Sequence, residues 1–391
     1  MGGGGAAVGR GFETTFTNPA LLSRSRKREL SLGIQAASFS LSASGKNAPG
    51  NVSEEPLSGT YIGFVLPLPF GGILQHRLVL GLGAFTPSTL IARARLLYPE
   101  RPQFPLLADR AQSLDFNMGI GADLGHGIRA GIGARALAEL VGTVVVRTDA
   151  SGHVGTVVDD QLVATYAPVI GASYEREKWK AGLTWRGELN ADFNVSVQVH
   201  DLGLLVVPEL HIAGVAQYDP MQLQLEVARK LGPWTLAAGA TWKHWSAFPG
   251  WARATVECPA SRPDCLALKP APVDFHDTVV PRLGADYAIE LSPAAASHLR
   301  GGYFFEMSPV PEQTSESNYW DNDRHVLTLG YGVELSDPLP PVSVDLFYQL
   351  HVLAPRTHPK DAGVDPANAG YPEVKTSGSV QNFGLIAGVK F

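Results

Sequence analysis

The chain has 391 residues and a formal net charge of −6, long enough for one large domain or several. The negative balance argues against a nucleic-acid binder, which would carry a basic surplus. Charged residues are only 17% and glycines number 42, a composition that suits strands and tight turns better than exposed helices.

The first residues, Met1-Gly-Gly-Gly-Gly-Ala-Ala-Val8, carry neither the basic nor the apolar stretch of a secretory leader. Either the chain stays in the cytoplasm or its true start lies upstream of Met1. The rest of the sequence favours the second. The longest uncharged stretch, Leu57 to Gln75, contains Pro67 and Pro69 and reads as a strand followed by a turn, not as a membrane helix.

From there the dominant signal is strict alternation. Leu78, Leu80, Leu82 and Ala84 share one face, followed by Phe85-Thr86-Pro87-Ser88. Phe116, Met118, Ile120 and Leu124 alternate with Asp115, Asn117, Gly121 and Asp123. The same pattern recurs at Ala130–Leu140, Trp179–Leu189 and Val342–Val352. It recurs a last time at Phe383, Leu385, Ala387, Val389 and the terminal Phe391. These runs reach about ten residues, what a tilted strand needs to cross a hydrocarbon layer. Strands of soluble sandwiches average nearer five or six. Trp179, Trp234, Trp242 and Tyr348 fall near strand ends, where amphipathic rings sit at the headgroup level. An overall hydrophobic content of 45% does not oppose this, because lipid-facing and lumen-facing residues cancel in any average.

Connections alternate in length. Short turns are expected at Gly125–Gly127, Glu175–Lys178, Gly232-Pro233 and Ser336–Pro338. Long loops are expected near Gly45–Glu55, Pro99–Arg110, Thr148–Asp160, Pro249–Pro272, Ser308–Asn322 and Pro355–Ser377. Short inner turns and long outer loops are how membrane barrels are built. The segment Pro208–Asp219 fits either a strand or a structured outer loop. The pattern therefore predicts an all-β transmembrane antiparallel barrel of about fourteen strands over residues 29–391, preceded by a segment 1–28. Cys258 and Cys265 lie close together in one loop. They are expected to form a disulfide, which implies an oxidising compartment; two separate thiols are the alternative.

Several short motifs carry a family resemblance. They are Thr17-Asn18-Pro19-Ala20-Leu21-Leu22, Trp242-Lys-His-Trp245-Ser246-Ala-Phe248, His276-Asp277-Thr278 with Arg282 to Tyr287, and Arg300-Gly-Gly-Tyr303 with Ser308-Pro309-Val310-Pro311 and Asp323-Arg324-His325. In this order and spacing the chain resembles the FadL family of outer-membrane transporters of long-chain fatty acids and other hydrophobic compounds. The resemblance implies a fourteen-stranded barrel in the cell outer membrane. It implies an N-terminal hatch inside the lumen, closed by the Asn18-Pro19-Ala20 motif, and passive movement of a hydrophobic ligand with lateral exit at a kink in the third strand. The final strand resembles the one read by the bacterial barrel-assembly machinery. Outer-membrane lipids and that machinery are the other expected partners, and the chain is expected to be a monomer without nucleic acid. Two departures stand out: the hatch is short, and the outer loops are brief for a member with a helical capture platform. Within the family an aromatic-hydrocarbon channel is an alternative to a fatty-acid channel. A barrel serving only as a protein-binding scaffold is another.

The residues expected to meet ligand are Arg147, Arg135, Phe85 and Pro87. A proline inside a central strand removes a ladder hydrogen bond, so Pro87 marks a break in the wall or the start of a loop. A buried carboxylate needs a cation or several donors. Arg147 resembles a ligand-facing arginine of the family. For Arg129, Arg135, Arg186, Lys243 and Arg282 the competing role is an interior network with Glu139, Glu188, Asp277, Asp286 and Glu290. Asp323 and His325 near Ser315 or Ser317 suggest a hydrolase only by proximity, and His276 with Asp277 is too few ligands for a metal. With no catalytic or cofactor motif, no enzyme activity, metal or cofactor is expected.

Overall fold

In a computed structural model the structure describes residues 1–72, 75, 77–88, 99–108, 114–148, 154–200, 209–257, 273–336 and 340–391. Strand β1 (Glu29–Gly45) is followed by a three-residue strand β2 (Gly50–Val52), then β3 (Leu57–Pro67), β4 (Leu78–Pro87), β5 (Asp115–Gly125), β6 (Ile128–Thr148), β7 (Val154–Arg176) and β8 (Trp179–Arg186). Next come β9 (Leu189–His200), β10 (Glu209–Asp219), β11 (Gln222–Leu231), β12 (Trp234–Lys243) and β13 (Ala252–Glu257). The chain ends with β14 (Thr278–Ser292), β15 (Ala295–Glu306), β16 (Arg324–Leu335), β17 (Val342–Pro359) and β18 (Glu373–Lys390).

The wall is an antiparallel ring of fourteen of these strands. β1, β3, β4, β5, β6, β7 and β8 pair in sequence. β8 passes to β11, β11 to β12, and β12 to β14. β15, β16, β17 and β18 follow, and β18 closes on β1 with Glu29 opposite Lys390. Closure gives every strand of the ring a neighbour on both sides, which a wall in lipid requires.

The four remaining strands stand outside the ring. β2 caps the end of β1 at Leu41↔Val52. β9 and β10 pair with each other, β10 with β13, and β9 runs parallel to the far end of β6 from Gly142↔Val195 to Arg147↔His200. Of the two alternatives for Pro208–Asp219, the strand holds: Glu209–Asp219 is β10, a strand of this group outside the ring. The loop expected at Thr148–Asp160 is shorter than the sequence suggested. Val154–Asp160 continues β7, because Val157 and Val158 pair with Val145 and Val144 across the hairpin while Asp159 and Asp160 oppose Thr143 and Gly142. Here cross-strand pairing outweighs the polarity that made the segment read as loop. Among the described residues the outer structure is thus made mainly of strands, with one four-residue helix, α2 (Pro105–Ala108).

The alternation places large apolar residues on the outside of the ring. Ile132 is 65% exposed, Leu329 62% and Leu283 60%. A soluble protein does not display a contiguous surface of this kind. No helix among the described residues is long and apolar enough to cross a membrane; the strands do the crossing. Trp179, Trp234 and Tyr174 are exposed at the short-turn end, with Trp234 packed against Tyr287 at 4.7 Å between ring centroids. The ring predicts high resistance of the backbone ladder to detergent. Unboiled protein should migrate faster than boiled protein on a cold detergent gel, and a single unshifted band would contradict a closed barrel.

Candidate functional site

The segment before β1 enters the ring from the short-turn end and fills it. It is built from short turns: a 3-10 turn at Gly11–Glu13, helix α1 (Thr14–Thr17) and a 3-10 turn at Pro19–Arg24. Asn18 explains why the Asn-Pro-Ala motif takes this form. Its backbone is extended (φ −169°) and its side-chain oxygen accepts from Ala20 N at 3.1 Å, capping the turn that Pro19 begins. Its Nδ2 donates to Ala6 O at 2.6 Å and to Ala172 O of β7 at 3.0 Å. One buried side chain therefore joins the two halves of the hatch to each other and to the wall.

The wall receives the hatch through glycines. A Cβ on Gly121 would stand 2.5 Å from Pro19 O, and one on Gly81 would stand 2.5 Å from a Leu22 methyl. On Gly182 it would fall on Ala6 O, on Gly171 on the Asn18 side chain, and on Gly302 on the Gly2 backbone. These glycines line the lumenal face of β4, β5, β7, β8 and β15, where they let the backbone and side chains of the hatch come up against the wall.

Charge completes the attachment. Glu226 of β11 is 1% exposed and accepts from Gly5 N at 2.7 Å and Ala7 N at 3.2 Å. Arg282 donates to Gly3 O at 2.6 Å, and Thr184 Oγ1 to Thr17 O at 2.7 Å. At the short-turn rim Arg10 pairs with Glu334 (3.1 Å), Arg24 with Glu175 (3.3 Å) and Arg26 with Asp123 (3.4 Å). Sequence reasoning missed Glu226 and the lumenal glycines as hatch contacts. Glu226 did carry a signal, as the acid on the polar face of an otherwise clean Leu223-Leu225-Val227 alternation.

Beyond the hatch the lumen is lined with ion pairs. Arg135 is held by Asp115 at 2.6 Å and by Asp219. Lys243 meets Glu306 at 2.5 Å, which also receives Arg324 at 3.6 Å. Arg300 meets Asp345 at 2.5 Å, and at the short-turn rim Arg129 joins Arg24 on Glu175, at 3.1 Å. The interior network expected from sequence exists, but largely with other acids. Glu188 binds Tyr218 Oη at 3.0 Å, Asp286 binds His298 Nδ1 at 2.9 Å, Asp277 lies outside the ring with His244, and Glu290 is exposed. Alternation reveals which face a charge occupies; it does not reveal which strands become neighbours across the lumen. Burial opposes ionisation of Asp277, yet hydrogen bonds from Ser246 and His244 hold its carboxyl below the usual range. Arg186 differs from the rest. It is 8% exposed, and its partners are amide or carbonyl oxygens: Gln222 Oε1 at 2.8 Å, Gln224 Oε1 at 3.4 Å and Phe16 O at 3.3 Å, with the Phe16 ring beneath it.

Phe85 and Pro87 both face the lumen on β4. Phe85 packs on Tyr61 at 4.8 Å between centroids, and Pro87 sits opposite Gly59. The β3 side of β4 stays paired through Pro87, and Ser88 N continues to Ser58 O at 2.9 Å. On the β5 side the described ladder runs to Phe85↔Asp115, and the positions that would face Pro87 and Ser88 lie outside the described residues. Arg147 lies at the far end of β6, opposite Gly155 and His200, and its side chain is outside the described residues. Cys258 and Cys265 also lie outside the described residues. His325 bonds Tyr303 Oη at 2.8 Å while Ser315 and Ser317 bond each other at 3.1 Å, so the residues that suggested a hydrolase are not assembled into a triad.

Over the outer mouth an aromatic cluster closes in: Tyr218, Trp245, Phe248, Trp251 and Phe275, all buried. Phe248 stacks on Phe275 at 4.7 Å and meets Trp251 edge-on at 4.7 Å. These rings pack as an apolar cluster against β10 of the outer group.

Two substitutions test the hatch. Gly182→Val places a side chain where Ala6 O sits and should loosen the hatch. Glu226→Gln keeps the shape but removes charge-assisted bonds, weakening attachment by about 1.5–3 kcal/mol. Both should speed hydrogen exchange in residues 1–24 and raise ion conductance in a planar membrane. Unchanged exchange in both variants would show that these contacts do not hold the hatch.

The arrangement has known relatives. The family model for outer membrane protein transport proteins (OMPP1/FadL/TodX) matches residues 111–391. Alkane uptake protein A of Marinobacter nauticus is 24% identical over 377 residues, covering 88% of this chain and 78% of that protein. A FadL homologue from Pseudomonas aeruginosa shares the fold with a TM-score of 0.63 at 14% identity, over 97% of this chain and 94% of that one. The toluene transporter TodX of Pseudomonas putida does so with a TM-score of 0.60 at 15% identity, over 100% and 96%. The family match spans the greater part of the barrel, and the chain belongs to the OMPP1/FadL/TodX family of outer-membrane transport proteins.

Proposed function

We propose that this barrel is a passive channel through which a hydrophobic small molecule enters the cell outer membrane and leaves sideways into the bilayer. The observation that carries this is Pro87 itself: it sits inside β4, paired toward β3 opposite Gly59 but with no N–H to give toward β5, where among the described residues the ladder runs only to Phe85↔Asp115, beside a lumen that the hatch enters. A greasy molecule entering past the aromatic cluster meets a hatch in the lumen and a wall strand interrupted by Pro87. Lateral exit delivers it to lipid without exposing it to water.

The charge pattern favours an uncharged hydrocarbon as cargo. Arg135, Lys243, Arg324 and Arg300 already face carboxylates, so a second carboxylate entering the lumen would have to displace one. The alkane and toluene proteins among the relatives agree with this. A long-chain fatty acid is the second reading. Arg186 favours it, since its buried guanidinium has only neutral partners among the described residues, and Arg147 is the other candidate.

Pro87→Val should restore the missing N–H, extend pairing toward β5 and reduce uptake of a labelled alkane while the protein still folds. Normal uptake by that variant would rule out the lateral route. For the cargo, Arg147→Ala and Arg186→Ala are compared with a fatty acid and an uncharged alkane of equal length. Loss of a charge-assisted contact would weaken the fatty acid alone, by about 1.5–3 kcal/mol. Equal binding of both ligands in both variants is the outcome expected for hydrocarbon cargo.

A further inference from the structure

On the lipid-facing side of the wall, directly opposed residues form rows across neighbouring strands. Arg176 of β7 faces Trp179 of β8, which faces Arg229 of β11, then Leu236 of β12, Ala285 of β14 and Gly301 of β15. The next lipid-facing row runs Val227, Ala238, Leu283 and Tyr303. Large side chains thus surround three very small ones. The result is a groove of about 620 Å³ in the outer wall, floored by Ala238, Ala285 and Gly301. A Cβ on Gly301 would meet nothing within 4 Å, so the space beside it is open. Its volume falls in the range of pockets that hold small ligands.

The lower end of the groove carries positive charge. The Arg229 guanidinium lies 4.9 Å from the centre of the Trp179 ring. Arg176, Lys178, Arg229 and Lys230 are all exposed. Two turns are brought together there, with Lys230 N donating to Lys178 O at 2.8 Å. Among the described residues none of these four cations pairs with an acid. They sit at the level of the exposed Trp179 and Trp234, where a membrane's headgroups lie.

We propose that this groove is a binding site for an anionic phospholipid of the periplasm-facing leaflet. One acyl chain lies along Ala238, Ala285 and Gly301, and the phosphate rests against Arg176 and Arg229. The apolar floor accepts any diacyl lipid; the four cations select one with net negative charge. The site faces away from the lumen and is separate from the cargo path. It rests on the outer-membrane reading of the barrel but not on the identity of the cargo.

Native mass spectrometry of detergent-purified protein, titrated with phosphatidylglycerol or phosphatidylethanolamine of identical chains, tests it. Phosphatidylglycerol should bind severalfold more tightly. Arg176→Gln with Arg229→Gln should abolish that preference, and Gly301→Leu, which fills the groove, should weaken both lipids. Each variant is first checked for membrane partitioning and for the mobility shift on heating. Failure there would indict the barrel reading, whereas intact partitioning isolates the lipid site. Equal binding of the two lipids by the native protein would overturn the proposal. So would a preference that survives the arginine substitutions, or binding that Gly301→Leu leaves unchanged.

Discussion

Everything in this molecule follows from one requirement: in lipid, each backbone N–H and C=O must find its partner within the protein. A ring meets it only if it closes, and β18 against β1 is where closure is made, over seventeen residue pairs from Glu29↔Lys390 to Gly45↔Val374. Once closed, the ring fixes which residues face lipid and which face the lumen. Any place in the lipid-embedded wall where the ladder lacks a donor becomes costly. That is why Pro87, which has no N–H to give to the ladder, carries weight as a functional feature.

A second consequence concerns the lumen. A ring this wide would be an open pore, so something must fill it. The hatch does so with little bulk: backbone lies on backbone at Gly121, Gly131, Gly182 and Gly302, and bonds to Asn18, Glu226 and Arg282 satisfy polar groups that the contact would otherwise strand. Above it the charges are mostly cancelled in pairs. This leaves an interior that is polar in composition but nearly neutral locally, a surface past which an uncharged molecule moves without displacing a counter-ion.

Much of this was legible in the sequence, because a barrel wall obeys period two and nothing else. Phe116, Met118, Ile120 and Leu124 announce their strand and its outward face without any knowledge of neighbours. The short turns at Gly125–Gly127 and Gly232-Pro233 fall where glycine and proline place them, with His126 and Gly127 at positive φ. The outer strands β9 and β10 were harder. They pair with each other, with β13 and with the far end of β6 rather than in the ring, so the ring's alternation does not govern them. The partners of Arg135 were not legible at all. Asp115 is twenty residues away and Asp219 eighty-four, and only the circular order of strands brings them together. The lumenal glycines are likewise indistinguishable in sequence from turn glycines. Their role appears only once the hatch lies against them.

The claim on which the account turns is that cargo leaves through the wall while the hatch stays in place. A tether tests it directly. A Cβ on Gly121 would stand 3.0 Å from Leu22 Cβ, close to the ~3.8 Å of a disulfide-bonded pair. Leu22→Cys with Gly121→Cys, made in a Cys258→Ser and Cys265→Ser background, fixes the hatch to β5 when oxidised and frees it when reduced. Uptake of a labelled alkane by whole cells is then measured in both states. The account predicts equal uptake. Uptake that stops on oxidation and returns with reductant would show that cargo passes through the hatch, and would contradict it.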